Sequence, residues 1–324
     1  MMISIKDKIN NILEEIEKIC QGEKVVVAFS GGLDSTVVSA LAIQALEREK
    51  VEAITVSFGE YSYSKGLKNI QDISKDLDLK FKVVQGKKEQ ERVLKRGPAC
   101  NKCTRIAKLG RVKIEAKGKL VLTGSNQSDT WGKRGLKIYN GFYAPLLEMT
   151  KKEIKEIADY LDLKILKIGE SKVREGCKLK HLLKPLAVPH YHGHAVAEAN
   201  ELLLNILEKE EYRANLANVK IIGPLNRNIG LINILPLPDE KFKKRVTEEL
   251  KKIKTLEEVI FLDKPIKLVI KANKGQFDNQ HSRYWLEKGR LQPDFSVPIN
   301  VDWLLTTNKN LATFQVVDYK NSRR

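Results

Sequence analysis

Lys24-Val25-Val26-Val27-Ala28-Phe29-Ser30-Gly31-Gly32-Leu33-Asp34-Ser35-Thr36 is the stretch whose reading decides the fold. Val25 to Phe29 is a short apolar run with three valines in succession, the pattern of a strand covered on both faces and therefore parallel to its neighbours. Gly31 and Gly32 follow it; lacking a Cβ, they let an anion approach the main chain and allow dihedrals that other residues avoid. Asp34 or Ser35 can cap the helix that continues through Thr36-Val37-Val38-Ser39-Ala40-Leu41, whose free N–H groups and positive dipole end then face the turn. Such a corner binds phosphate. No Gly-Lys-Ser/Thr follows the glycines, so a kinase or GTPase reading loses its main support.

Outward from this corner, strands and helices alternate. Residues 4–20 carry Ile5, Ile9, Ile12, Leu13, Ile16 and Ile19 at helical spacing, and Cys20 closes the segment as a small buried apolar residue. Val51–Phe58 reads as a second strand, Leu67–Leu77 as a helix, Lys80–Val84 as a third strand, Lys119–Thr123 as a fourth and Leu163–Ile168 as a fifth. Thr150, with Glu153 three residues on, predicts a capping box before a helix. This order predicts an α/β fold with a doubly wound parallel sheet of five strands, whose ligands bind at the carboxyl ends of the strands. The character changes near residue 186. A first domain over 1–187 and a second α/β or α+β domain over 188–324 are expected, the second with a substrate-binding or oligomerising role, the latter giving a homodimer.

Composition narrows the classes. The chain has 324 residues, a formal net charge of +17 and four cysteines. The charge suggests a polyanionic partner, although a Lys-, Glu- and Ile-rich composition also suits a thermophile's surface. The first residues have no signal-peptide core and no run is long enough to span a membrane, so no membrane partner and a cytoplasmic location are expected. Four cysteines do not make a disulfide framework in a chain of this length.

Three of those cysteines need another explanation. Cys100-Asn101-Lys102-Cys103 opens a helix after the Gly97-Pro98 break, and Cys177 stands in a later loop. A Cys-x-x-Cys serves as a redox pair, as half a zinc site or as two ligands of an iron-sulfur cluster. In a five-stranded wound sheet the loop after strand five and the segment after strand three can both reach the carboxyl edge. Cys177 could then join Cys100 and Cys103 as three ligands of a [4Fe-4S] cube, leaving an open iron beside the activated substrate.

Ser30-Gly31-Gly32-Leu33-Asp34-Ser35 resembles the signature of the PP-loop ATP pyrophosphatases, whose domain is HUP-like. Together with Cys-x-x-Cys followed by a lysine, Gly124-Ser125-Asn126-Gln127-Ser128-Asp129 after strand four and the lone later cysteine, residues 20–185 look like the iron-sulfur-dependent tRNA thiolation enzymes, the 2-thiocytidine and 2-thiouridine synthetases. The resemblance implies that Ser30, Gly31, Gly32, Asp34 and Ser35 bind ATP phosphates and Mg²⁺, and that Cys100, Cys103 and Cys177 ligate the cluster. Ala28, Leu33, Ser57 and Gly124 complete the expected nucleotide-binding set, while Asp34, Cys100, Cys177, Lys108 and Asp129 are the expected catalytic residues. It further implies that a carbonyl oxygen, as of a tRNA base, attacks the α-phosphorus of ATP, and that sulfide on the open iron, or a cysteine persulfide, then displaces AMP. The partners would be tRNA and a sulfide or sulfur donor. The chain departs from the family in lacking the extra zinc-binding cysteine pairs of some members.

Two rivals share the PP-loop: sulfur insertion into a small molecule, as for a nickel-pincer cofactor, and an amidating synthetase of the NAD, GMP or asparagine kind, which leaves the three cysteines without a role. His190, His192 and His194 read as a solvated domain boundary rather than a metal site. Lys271 to Trp285 mixes basic, amide and aromatic residues, as surfaces for unpaired RNA do.

Overall fold

The structure is a computed structural model and describes residues 4–128, 135–166 and 176–321. In chain order the elements are α1 (Ile5–Cys20), β1 (Val25–Ala28), α2 (Leu33–Leu46), β2 (Val51–Ser57), α3 (Ser64–Asp76), β3 (Lys80–Gln85), α4 (Lys87–Leu94), α5 (Cys100–Cys103), α6 (Gly110–Glu115), β4 (Val121–Leu122), β5 (Ile138–Tyr139), β6 (Phe142–Tyr143) and α7 (Lys151–Tyr160). They continue with α8 (His194–Lys209), β7 (Leu216–Ile222), β8 (Ile229–Leu235), α9 (Glu240–Lys251), β9 (Glu258–Phe261), β10 (Ile266–Ala272), α10 (Lys274–Asp278), α11 (Gln280–Tyr284), β11 (Ile299–Leu305) and β12 (Phe314–Asn321). The chain forms two compact units. One takes the residues up to Ser57, Ser64–Gly86 and the chain from Thr104 through α7; the other takes Phe58–Tyr63, Lys87–Cys103 and the described residues from Gly176 on.

The first unit is the expected doubly wound α/β fold, built on a sheet in the order β3-β2-β1-β4-β6-β5. The valine run explains why it is covered twice. Val25 and Val27 point to a core shared with Ile9, Ile16, Val37, Leu41 and Ile157, whereas Val26 points to the opposite face with Ile54, Val112 and Val121. Side chains alternate along a strand, so three successive apolar residues require apolar partners on both sides. Each buried valine stabilises the sheet by roughly 1.5 kcal/mol or more.

The sheet differs from the sequence expectation at its far edge. It has six strands, not five, and Leu163–Leu166 is not a strand; the rest of the segment expected to be strand five lies outside the described residues. A hairpin takes that place, with β6 parallel to β4 and β5 antiparallel to β6. Its turn, Asn140-Gly141, has both residues at positive φ (51° and 77°). That backbone twist matches the strands it joins, which is why Asn-Gly is favoured there. Thr150 and Glu153 form the expected reciprocal cap on α7, and Cys20 is buried, which pushes its thiol up to about 11.

The second unit holds two three-stranded sheets, in the orders β7-β8-β9 and β11-β10-β12. Leu183 stitches them together: its N–H donates to the Ile221 carbonyl (2.9 Å) and its carbonyl accepts from the Val316 N–H (2.8 Å). An apolar core of Leu183, Ile222, Leu231, Leu268, Ile270, Phe314 and their neighbours fills the space around this seam. Beside it sits a buried ion network. The Asp294 carboxylate receives Lys220 Nζ at 2.9 Å and Lys180 Nζ at 3.5 Å, and Lys220 also meets His181 Nδ1 at 3.0 Å. No helix among the described residues is long and apolar enough to cross a membrane.

Burial opposes the charge on Asp294, yet Lys220 and Lys180 hold its carboxyl below the usual carboxylate range. A carboxylate whose folded pKa is depressed adds stability above its unfolded pKa and loses it as pH falls through the folded value. Removing one partner leaves a buried charge uncompensated. Asp294→Asn is therefore expected to lower unfolding free energy at neutral pH by about 3 kcal/mol. In urea titrations the gap from the unsubstituted protein should narrow as the solution is made acidic; a gap independent of pH would contradict the ion-pair account.

Candidate active site

At the carboxyl end of β1 the chain turns through Ser30, Gly31 and Gly32 into α2. The helix begins on Gly32, and no side chain caps it; Asp34 and Ser35, expected as caps, lie inside its first turn. Ser35 is used differently. Its Oγ donates to the Gly32 carbonyl (3.1 Å), accepts the Ser30 N–H (3.2 Å) and lies 3.1 Å from Ser30 Oγ, tying the turn into a loop. The helix end is thus left to an outside anion, since uncapped first-turn N–H groups and the dipole both favour negative charge.

Two glycines make the space. Gly31 sits at φ +70°, and a Cβ there would come 2.7 Å from Ile70 Cγ1 on α3. Gly124, in the loop after β4, presses on the start of α2: a Cβ would lie 2.8 Å from Asp34 Cβ and 3.0 Å from the Ser35 nitrogen. The same loop is held by buried Asn126, whose Oδ1 accepts from Ser128 N–H (3.0 Å) and Oγ–H (2.6 Å), and by the Gln127 N–H donating to the Met149 carbonyl (3.2 Å). Gly124 and the Ser30 turn therefore close on one helix end. Ser57 ends β2 as a buried residue whose carbonyl accepts from the Gly86 N–H at 2.9 Å.

Lys151, the first residue of α7, forms an ion pair with Asp34 Oδ2. Sequence reading missed it, because a lysine after a cap reads as an ordinary solvated helix residue. The other oxygen, Asp34 Oδ1, is buried and has no hydrogen-bond partner among the described residues. A buried carboxylate oxygen without a donor is costly unless a cation meets it. It fits a Mg²⁺ that arrives with a triphosphate, held by Asp34 with the hydroxyls of the Ser30 turn; bound, the ion would neutralise the departing phosphates.

Lys108 is half-buried in a π-helical segment, Thr104–Leu109, that follows α5; Asp129 lies outside the described residues. Cys100, Cys103 and Cys177 belong to the second unit. Cys100 Sγ accepts from Arg290 Nη2 (3.2 Å), and Cys177 Sγ accepts from Gln90 Nε2 (3.0 Å). Among the described residues no group of three or more His, Cys, Asp or Glu side chains is placed to hold a metal ion. The donor set of an iron-sulfur cluster or a zinc ion is thus not assembled among the described residues. Of the histidines expected at a solvated boundary, His192 is instead fully buried against Asn228 Oδ1 (2.8 Å), and His194 pairs with Glu60 (3.0 Å). Burial and nearby Lys184 push the His192 imidazole down to about 4.

Because the Gly124 backbone sits where any Cβ would strike the start of α2, Gly124→Ala is expected to misplace the helix end. A shift of that order should cost roughly 100-fold in ATP turnover, with the thermal midpoint little changed. Turnover unaffected by the added methyl would show that the contact does not shape the site.

Comparison with known families places the same stretch. No curated protein matches the chain. A family model described as NAD synthase matches residues 4–164, the stretch that carries the glycine turn, Gly124 and Lys151. Over those residues the chain is similar to the NAD synthase family, which falls within the PP-loop ATP pyrophosphatases.

Proposed function

We propose that this protein uses ATP to activate a carboxyl or carbonyl oxygen of its substrate as an adenylate, and that ammonia then displaces AMP to leave a carbon–nitrogen bond. The observation that carries the reading is the uncapped start of α2, closed over by Gly124 and flanked by an Asp34 oxygen without a donor. That arrangement suits a triphosphate whose terminal phosphates become the leaving group. The match of residues 4–164 to the NAD synthase family favours nitrogen as the second nucleophile.

In the first half-reaction the substrate oxygen forms a bond to the α-phosphorus as the bond to the bridging oxygen of pyrophosphate breaks. The helix N–H groups and the Ser30 turn hold the pyrophosphate as its charge grows, which lowers the barrier only if they are fixed beforehand. The bonds that Ser35 makes to Gly32 and Ser30 supply that fixing. Lys151, released from Asp34 when a divalent cation arrives, is placed to offset phosphate charge. In the second half-reaction the ammonia lone pair forms the carbon–nitrogen bond, the bond to the AMP oxygen breaks and a proton leaves the nitrogen.

Sulfur transfer to a tRNA base is the second reading, favoured by the Arg290 contact on Cys100, since a cation stabilises a thiolate or persulfide. The terminal sulfur of a Cys100 persulfide would displace AMP. Cys103, three residues on, would cleave the resulting mixed disulfide, leaving a Cys100–Cys103 disulfide for a thiol reductant to reopen.

Feeding the protein ATP and Mg²⁺ with isotopically labelled ammonium or with thiosulfate labelled in its sulfane sulfur, which can load Cys100 as a persulfide and release sulfite, against a low-molecular-mass metabolite extract and a bulk tRNA fraction, separates the two. Label from ammonium in an ATP-dependent product is expected, and Cys100→Ala should leave it intact. Label from the sulfane sulfur alone, lost in Cys100→Ala, would overturn amidation.

A further inference from the structure

The amino edge of the large sheet, opposite the nucleotide end, carries a feature that ATP chemistry does not use. Four neighbouring parallel strands each open on a lysine: Lys80 begins β3, and Lys50, Lys24 and Lys119 stand just before β2, β1 and β4. The pairing puts Val25 opposite Val51 and Val26 opposite Val121; carried back along the strands, it brings Lys24 level with Lys50 and with Lys119. The backbone ladder reaches this row, since the Val26 N–H donates to the Leu120 carbonyl at 3.0 Å. Lys80 pairs with Glu52, two residues further in. Adjacent strands lie about 4.8 Å apart, so the lysines form a line of cations at that spacing.

They border one groove of about 500 Å³ together with Arg48 and Lys75. Its acidic residues are Glu49, Glu52 and Asp78, against six cations. Arg48 is paired with Asp78, Lys119 reaches Glu52 at 3.3 Å and Lys50 lies 3.8 Å from Glu47, but Lys24, Lys75 and Lys80 have no carboxylate partner among the described residues. Like charges facing each other across strands destabilise a sheet. Phe81 is also among the lining residues, half-buried and packed against the core of the unit.

We propose that this groove binds the sugar–phosphate backbone of a nucleic acid. Ammonium heads on long flexible stems, one per strand, can follow successive phosphates along an open track. The chain's net charge of +17 supplies the long-range attraction. The inference stands on the sheet edge alone and holds whichever nucleophile displaces AMP.

End-labelled oligouridylate, titrated by fluorescence anisotropy against the full-length protein over a range of KCl concentrations, tests it. The logarithm of affinity should fall linearly with the logarithm of salt, by about 0.7 per phosphate contact on a single strand. Lys24→Ala, Lys50→Ala and Lys119→Ala together should flatten that slope by about 2 and weaken binding at least ~10-fold at low salt, with the thermal midpoint and ATP binding retained. Lys18→Ala, Lys68→Ala and Lys152→Ala remove the same charge from exposed positions on the same unit and should leave the slope near the unsubstituted value. No binding by the unsubstituted protein, an unchanged slope in the groove variant, or equal loss in both triple variants would overturn the proposal.

Discussion

The first unit depends on one helix end being kept free. α2 starts on Gly32 without a side-chain cap, and a helix end of that kind needs water or a bound anion for its first-turn N–H groups. The structure around it keeps that end accessible and rigid. Ser35 spends its hydroxyl on the turn's own backbone, Ile70 fills the space under Gly31, and Gly124 bears on the helix start with bare main chain. Buried valines on both faces of β1 hold the strand that delivers the turn. The strand, the turn and the loop after β4 thus serve one constraint: phosphate must reach backbone nitrogen.

The second unit solves a different problem. Its two small sheets each have an exposed edge to manage, and Leu183 joins them by backbone bonds to Ile221 and Val316. Polar groups buried beside that seam are paired. Asp294 with Lys220 and Lys180, and Lys184 with the carbonyl of Arg227 (2.7 Å), let charged side chains sit where an apolar core would otherwise be continuous. Burial drags Lys184 down to about 7. Within the same unit, Arg290 donates to the Cys100 sulfur and Gln90 to the Cys177 sulfur.

The parts of this architecture that were legible in the sequence are those fixed by local chemistry. Three valines before two glycines gave the twice-covered strand and the anion corner, and Thr150 with Glu153 gave the start of α7. The hairpin edge strand was overlooked although Tyr139-Asn140-Gly141-Phe142 carries its turn signal, because two-residue strands leave no period to detect. The segment 163–168 was read as a strand on its apolar residues, but at 163–166 the tertiary structure makes no such ladder. The capping role expected of Asp34 or Ser35 failed for a physical reason: a helix that must receive an outside anion gains nothing from capping itself. Lys151 was invisible because its partner lies more than a hundred residues away in sequence. The thiols are grouped by the resemblance and by the reach of loops in a wound sheet, whereas the donors Arg290 and Gln90 come from elements distant in sequence that no spacing reports.

The account turns on where ATP is attacked. Phosphorus NMR of the products formed from ATP and Mg²⁺ in the presence of the metabolite extract reads this directly, since cleavage at the α-phosphorus and at the γ-phosphorus release different species. AMP and pyrophosphate in equal amounts are the predicted result. ADP and inorganic phosphate would contradict it and would mean that the glycine turn supports a different phosphoryl transfer.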